Sequence, residues 1–151
     1  MAETGRPDLA AMIVPLGRAL MAVEQPVLDA HGLTMWGYVV LLRLEESVRT
    51  QSALAQDIGA DKTRIIGTLD DLQDRGLIER RPDPDDRRVR LLSLTAEGRR
   101  VRDSAQGAIQ ARENRLLDRL SPADREGFLN ALQFLAALPK EELADSPGGP
   151  E

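Results

Sequence analysis

The chain has 151 residues, 30% charged and 42% hydrophobic, which suits a single domain or one domain with helical extensions and is long enough to bury a sizeable core. Cysteine is absent and His31 is the only histidine, which excludes disulfides, thiol chemistry and a multi-histidine metal site, and leaves Ser-His-Asp catalysis no base except a His31 that has no nucleophile motif around it. A formal net charge of -5 argues against a protein that coats nucleic acid through bulk basicity, so any nucleic-acid site has to be local.

These exclusions leave no expected catalytic residue, metal or cofactor, and the chain reads as a non-enzyme. No run of about eighteen or more apolar residues is present, and the start Met1-Ala2-Glu3-Thr4-Gly5 lacks the basic and apolar regions of a signal peptide. A cytoplasmic protein without membrane contact is the expectation. Lys62 and Lys140 are the only lysines, so positive charge is carried almost wholly by arginine.

Aromatic residues are limited to Trp36, Tyr38, Phe128 and Phe134, so the core must come from Leu, Ile, Val, Ala and Met, which favours helix packing. From Asp8, Leu9, Met12, Ile13, Leu16, Leu20 and Val23 recur at three- and four-residue spacing, predicting a helix to about Ala30 that is kinked or delayed by Pro15 and Pro26. His31-Gly32 ends it, and Thr34 caps a second, nearly all-apolar helix holding Trp36, Val39, Val40, Leu42 and Leu44. Thr50 or Ser52 opens a short helix, Ala53 to Ile58, and Gly59-Ala60 makes a turn. Asp61 then caps a helix that buries Ile65, Leu69 and Leu72, runs to about Arg75 and stops at Gly76. Two helices joined by a short glycine-containing turn have the layout of a helix-turn-helix.

After Gly76 the period changes. Leu77-Ile78-Glu79-Arg80-Arg81 and Val89-Arg90-Leu91-Leu92-Ser93-Leu94 read as a hairpin whose charged tip, Pro82 to Arg88, is stiffened by proline and projects from the body. Thr95 caps a long helix with Val101, Ala105, Ile109, Leu116, Leu117 and Leu120, and Ser121-Pro122 starts a last helix with Phe128, Leu129, Leu132, Leu135 and Leu138. The tail, 139–151, is acidic and rich in Pro and Gly, and is expected to be disordered.

A helix-turn-helix followed directly by a hairpin is a winged helix, and at this point the likeness becomes one of residues. Asp83-Pro84-Asp85-Asp86-Arg87-Arg88 followed by Leu94-Thr95-Ala96-Glu97-Gly98-Arg99 resembles the wing signature of the MarR family of bacterial transcription regulators. Arg75-Gly76-Leu77-Ile78-Glu79-Arg80 is similar to the family's end of recognition helix, and Gly32-Leu33-Thr34 to its entry into the second helix. The resemblance covers roughly Leu9 to Leu138. It implies a mainly α fold with a small β-hairpin wing, in which a winged helix-turn-helix over 31–95 is flanked by dimerisation helices over 8–30 and 96–138. It further implies a homodimer on a palindromic double-stranded DNA operator, acting as a repressor released by a small ligand, for which aromatic or phenolic compounds are the class to expect.

Between Asp61 and Arg90 eight basic residues face eight acidic ones, so only their arrangement can make a site. Lys62, Thr63 and Arg64 fall in the first turn of the recognition helix, with Arg64 the candidate for a base-edge contact because guanidinium pairs bidentately with guanine O6 and N7. Ile66 and Gly67 follow on the same helix, where much of the family carries polar or basic groups. Gly67 allows close backbone approach to DNA, and Asp71 would repel phosphate if it faced it. In the wing, the resemblance implies one arginine entering the minor groove with an aspartate fixing its direction: Arg88 braced by Asp86, or Arg87 in its place. Ser52 and Gln56 are candidate phosphate contacts. Met12, His31, Met35, Trp36 and Tyr38 lie in the segments that form a ligand cleft in the family, although Met and Trp at helical spacing also read as plain core and His31 as a helix-end residue bonded to backbone. The competing reading is a winged-helix protein-protein interaction module without operator binding, motivated by the acidic charge, Gly67 and Asp71.

Overall fold

The computed structural model describes residues 5–144. Its elements are α1 (Leu9–Ala30), α2 (Met35–Glu46), β1 (Arg49–Thr50), α3 (Gln51–Ile58), α4 (Lys62–Asp74), β2 (Ile78–Pro82), β3 (Arg90–Leu94), α5 (Ala96–Leu117), α6 (Pro122–Ala136) and α7 (Lys140–Ala144). They fall into two compact units that meet within α5, one ending at Arg112 and the other starting at Glu113.

The first unit holds the winged helix. Its core joins Val27 and Leu28 of α1, Val40, Leu41 and Leu44 of α2, Leu54 of α3, Ile65, Leu69 and Leu72 of α4, and Val101, Ala105 and Ile109 of α5. Helices α2, α4 and α5 contribute residues three or four apart, the stripe that a 3.6-residue period turns to one side. Helix α1 runs unbroken through Pro15 and Pro26, where a kink or late start was expected. Both prolines are exposed, so water can take the carbonyls they leave without a donor. This helix is also long and apolar enough to cross a membrane by length and composition, although it carries Arg18, Glu24 and Asp29. Only Val27 and Leu28 of α1 are buried.

Side-chain caps set the starts of the following helices. Thr34 Oγ1 accepts from the Gly37 N–H (3.0 Å) and Thr50 Oγ1 from the Ala53 N–H (3.0 Å), so α3 begins at Gln51, two residues before the expected start, with Thr50 and not Ser52 as its cap. At the end of α4, Gly76 takes φ 71°, a left-handed conformation that a residue with a Cβ adopts at a cost.

The wing strands pair antiparallel with Ile78 opposite Leu94 and Pro82 opposite Arg90. A third strand joins them: β1 lies on the other side of β3, with Arg49 opposite Leu92, giving the order β1-β3-β2. Sequence periodicity could not foresee it, because two residues have no period. Arg102 is the only buried charged side chain among the described residues, and its guanidinium pairs with Glu45 of α2 and with Asp103.

In the second unit, Arg125 of α6 donates to Asp118 (2.5 Å) and Asn114 (2.8 Å), fastening α6 to the last turns of α5. Ser121 Oγ caps α6 by accepting from the Asp124 N–H (3.1 Å), with Pro122 at the first helical position. Helix α5 stops at Leu117, so Leu120 sits in the intervening turn, where the Arg119 and Leu120 N–H groups bond only three residues back. The expected disordered tail is corrected at its start. The Pro139 carbonyl accepts from the Glu142 and Leu143 N–H groups and Glu141 and Glu142 lie in the first turn, where acidic side chains favour a helix, so α7 forms. The remainder of that tail lies outside the described residues.

Candidate nucleic-acid interface

Helices α3 and α4 meet through Gly59-Ala60-Asp61, and the chain enters α4 with its first turn exposed at Thr63 and Arg64. The Asp61 side chain makes no capping hydrogen bond, so the first-turn N–H groups stay open to an outside acceptor such as phosphate. Lys62 starts the helix, but its side chain lies outside the described residues. Ile66 is 46% exposed, and with Ser52 and Gln56 of α3 it lines a hollow between the two helices. Thr63, Arg64 and Gly67 line a second hollow together with Thr34, Gly37, Thr68 and Asp71. The residues named from the sequence on α3 and α4 therefore share adjoining concave surfaces. Asp71 shares the hollow of Arg64.

Arg64, unlike Arg80, Arg81 and Arg88, has no carboxylate partner among the described residues. Its Cζ lies 5.9 Å from the centroid of the Trp36 ring, within cation–π reach. Arg80, by contrast, donates to Gln73 (2.5 Å) and pairs with Asp70, tying β2 to α4 and neutralising one acid of that helix. Arg81 pairs with Glu79 (3.0 Å). At the far end of α4, Arg75 donates to the carbonyls of Gly32 (2.5 Å) and His31 (3.0 Å), clamping α4 to the α1–α2 turn.

The wing tip is closed by the Asp83 N–H donating to the Val89 carbonyl (2.9 Å). Within it, two aspartates bond the backbone two residues ahead: Asp83 Oδ1 accepts from the Asp85 N–H (2.9 Å) and Asp86 Oδ1 from the Arg88 N–H (3.1 Å). Asp86 also receives the Arg88 side chain, Nε at 3.2 Å, while that side chain remains 92% exposed. These bonds from Arg88 hold the Asp86 carboxyl below the usual carboxylate range. Arg87 is exposed with no ion pair among the described residues. Two of the three wing acids, Asp83 and Asp86, thus shape the loop.

His31 Nδ1 lies 2.7 Å from the Val27 carbonyl oxygen and must donate to it, so in the neutral ring Nε2 accepts from Ser104 Oγ at 2.9 Å. Tyr38 is buried in the core, Met35 packs against that core, and Met12 is 43% exposed on α1. Trp36, also named for the cleft, has its ring beside Arg64 of α4. Sequence reasoning missed three further participants. Gln51 and Arg90 line a polar hollow with Gln73 and Arg80 beside the wing, and Arg75 holds the helix in place. Only Arg75 left a signal, as part of the Arg-Gly-Leu-Ile stretch.

Comparison with known proteins fits this geometry. The sequence model of the MarR family matches residues 31–89, the span from the α1–α2 turn to the wing tip. A crystal structure of CouR from Rhodococcus jostii RHA1, bound to p-coumaroyl-CoA, is 30% identical, covers 87% of this chain and 94% of its own, and superposes with a TM-score of 0.72.

The chain belongs to the MarR family of transcriptional regulators.

A MarR-family transcriptional regulator from Rhodococcus sp. RHA1 is 29% identical over 87% of this chain and 97% of its own, with a TM-score of 0.74. The transcriptional regulatory protein proposed for the hcr operon of Thauera aromatica is 31% identical over 86 residues, or 57% of this chain. The match spans 52%, about half, of that relative's length. The MarR relatives share the mainly helical fold with a small antiparallel wing sheet, and they are regulators, not enzymes.

Proposed function

We propose that this MarR-family chain is a homodimeric, sequence-specific double-stranded-DNA-binding repressor that reads a palindromic operator and is released by a small aromatic effector. The observation that carries the reading is the pairing of an open, exposed α4 N-terminus with a wing arginine, Arg88, that is held by its own aspartate yet 92% exposed. Arg64 reads a base edge in the major groove, most simply guanine O6 and N7. Arg88 enters the minor groove with Asp86 fixing its direction, and Arg87 is the alternative tip residue. Ser52, Gln56, Gln51 and Arg90 face phosphates on either side.

Self-association is supported by apolar surface that each unit leaves uncovered. Leu9, Ile13 and Met21 of α1 are exposed in the first unit, and Phe128, Leu132, Phe134 and Leu135 of α6 in the second. Such surface on a water-soluble chain favours a partner, and a second copy is the partner proposed here. A two-fold dimer would place its half-sites about one helical turn, ~34 Å, apart.

For the effector, CouR with its bound p-coumaroyl-CoA supports an aromatic acid or its thioester as the class. Met12, His31, Met35, Trp36 and Tyr38 are the candidate contacts on this chain. Selection of duplexes from a randomised pool, with sedimentation of the protein alone, tests the reading. An enriched inverted repeat and a dimer mass are expected, whereas a monomer mass or a pool without consensus would contradict it.

A further inference from the structure

We propose that Trp36 is a positioning residue for DNA recognition, its indole face holding the Arg64 guanidinium in the direction that base readout needs. This role rests on the reading of α4 as the DNA-reading helix.

The two residues come from different helices, Trp36 from the second position of α2 and Arg64 from the third of α4. Thr34 caps α2 through the Gly37 N–H, and Gly37, the residue after Trp36, is in ordinary van der Waals range of α4, where a Cβ would lie 3.6 Å from Leu72 Cδ2. The indole is half-buried, and the Cζ of Arg64, in the first turn of α4, lies over it at 5.9 Å from its centroid.

An aromatic brace and a carboxylate brace act differently on an arginine. The guanidinium donates hydrogen bonds only in its own plane, so a carboxylate partner uses up some of the donors, as Asp86 does with Arg88 Nε. A ring that attracts the cation through its face leaves the in-plane donors free for guanine O6 and N7. It also removes part of the rotamer freedom that a long side chain otherwise loses on binding. Arg64 has the aromatic brace and no carboxylate among the described residues, which suits readout of a base edge. Arg88 has the carboxylate brace, which suits insertion of charge into a narrow groove.

Trp36 is the only tryptophan in the chain, so emission excited beyond the tyrosine absorption reports the surroundings of this one indole, Arg64 among them. In the free protein, Arg64→Ala should change the emission intensity or maximum while leaving the thermal unfolding midpoint nearly unchanged. Unchanged emission would overturn the contact without any DNA. For the role itself, a duplex enriched from a randomised pool by the wild-type protein is compared with versions altered at each base pair. Trp36→Leu should lower discrimination at the base pair that Arg64→Ala also affects, by about two- to fivefold for an exposed cation–π contact. Trp36→Phe should restore most of it, and Trp36→Leu added to Arg64→Ala should cause no further loss. Discrimination equal to wild type in a folded Trp36→Leu, or equal loss in Trp36→Leu and Trp36→Phe, would overturn the role of Trp36 alone. Enrichment of no duplex would overturn the DNA reading of α4 and this role with it.

Discussion

Gly98, in the first turn of α5, lies so close beneath Leu77 that a Cβ on it would sit 1.9 Å from the Leu77 carbonyl oxygen. The same carbonyl accepts from the Thr95 N–H (3.2 Å), and Thr95 Oγ1 donates to the Gly76 carbonyl (2.6 Å) while accepting from the Gly98 N–H (2.9 Å). The Thr-Ala-Glu-Gly stretch is therefore a joint between the end of α4 and the start of α5, and glycine is there because backbone meets backbone. Gly98→Ala should destabilise the fold by about 1–3 kcal/mol, the usual cost of forcing a methyl into a packed site. Urea unfolding measures it, and a variant as stable as wild type would mean that the joint is looser than described.

Gly67 is the opposite case. A Cβ there meets nothing within 4 Å, so within the protein the residue only lowers helix propensity. Gly67→Ala should raise stability by about 0.5–1 kcal/mol. If the backbone of α4 approaches DNA closely at this point, the same variant should bind operator more weakly despite being more stable. Stability and affinity rising together would remove Gly67 from the interface.

Wing substitutions separate charge from geometry. Arg88→Ala should weaken operator binding and flatten its salt dependence, leaving the dimer mass unchanged. Asp86→Ala keeps the cation but removes both the side-chain brace and the acceptor for the Arg88 N–H. It should weaken binding by less than Arg88→Ala does, even though it removes a negative charge from the interface. Affinity that rises in Asp86→Ala would show that repulsion of phosphate outweighs bracing. Arg87→Ala, measured alongside, assigns the tip: the larger loss marks the inserted arginine.

Acid should act on the wing late. Asp86 is held below its ordinary range by the side-chain and backbone bonds from Arg88, so its folded pKa is the depressed one and the bracing is present above the unfolded value. The bracing is lost only as pH falls through the folded value, below the ordinary Asp value of about 3.9. The Asp86 carboxyl resonance followed by NMR should titrate below that of an unpaired aspartate such as one in a short peptide. In Arg88→Ala the depression should largely vanish, and a wild-type value no lower than the peptide's would contradict the bracing.

The helices, the turn glycines and the wing were legible in the sequence because each leaves a local mark. Leu69 and Leu72 carry a period, Gly76 marks a stop, and Asp83 to Arg88 carry a recognisable pattern. Strand β1 was not legible, since Arg49 and Thr50 become a strand only by finding Leu91 and Leu92. The start of α3 differed by two residues because Thr50 and Ser52 are equally good caps on paper, and tertiary placement chose Thr50. The candidate site was legible as a list but not as partnerships. Nothing local distinguishes Arg64, which faces a ring, from Arg80, which is engaged by Asp70 and Gln73, or Arg75, which is turned back onto Gly32. Those differences arise from contacts between distant segments, and they decide which positive charges keep no carboxylate partner among the described residues.

The most direct test of the central claim is binding of the purified protein to a labelled duplex from the region upstream of its own coding sequence, against a scrambled duplex, across a salt series. The account predicts tight binding to the first, much weaker binding to the second, and affinity that falls steeply as salt rises. Weak and equal binding to both duplexes, repeated with duplexes selected from random DNA, would contradict operator recognition and favour a winged helix that docks another protein.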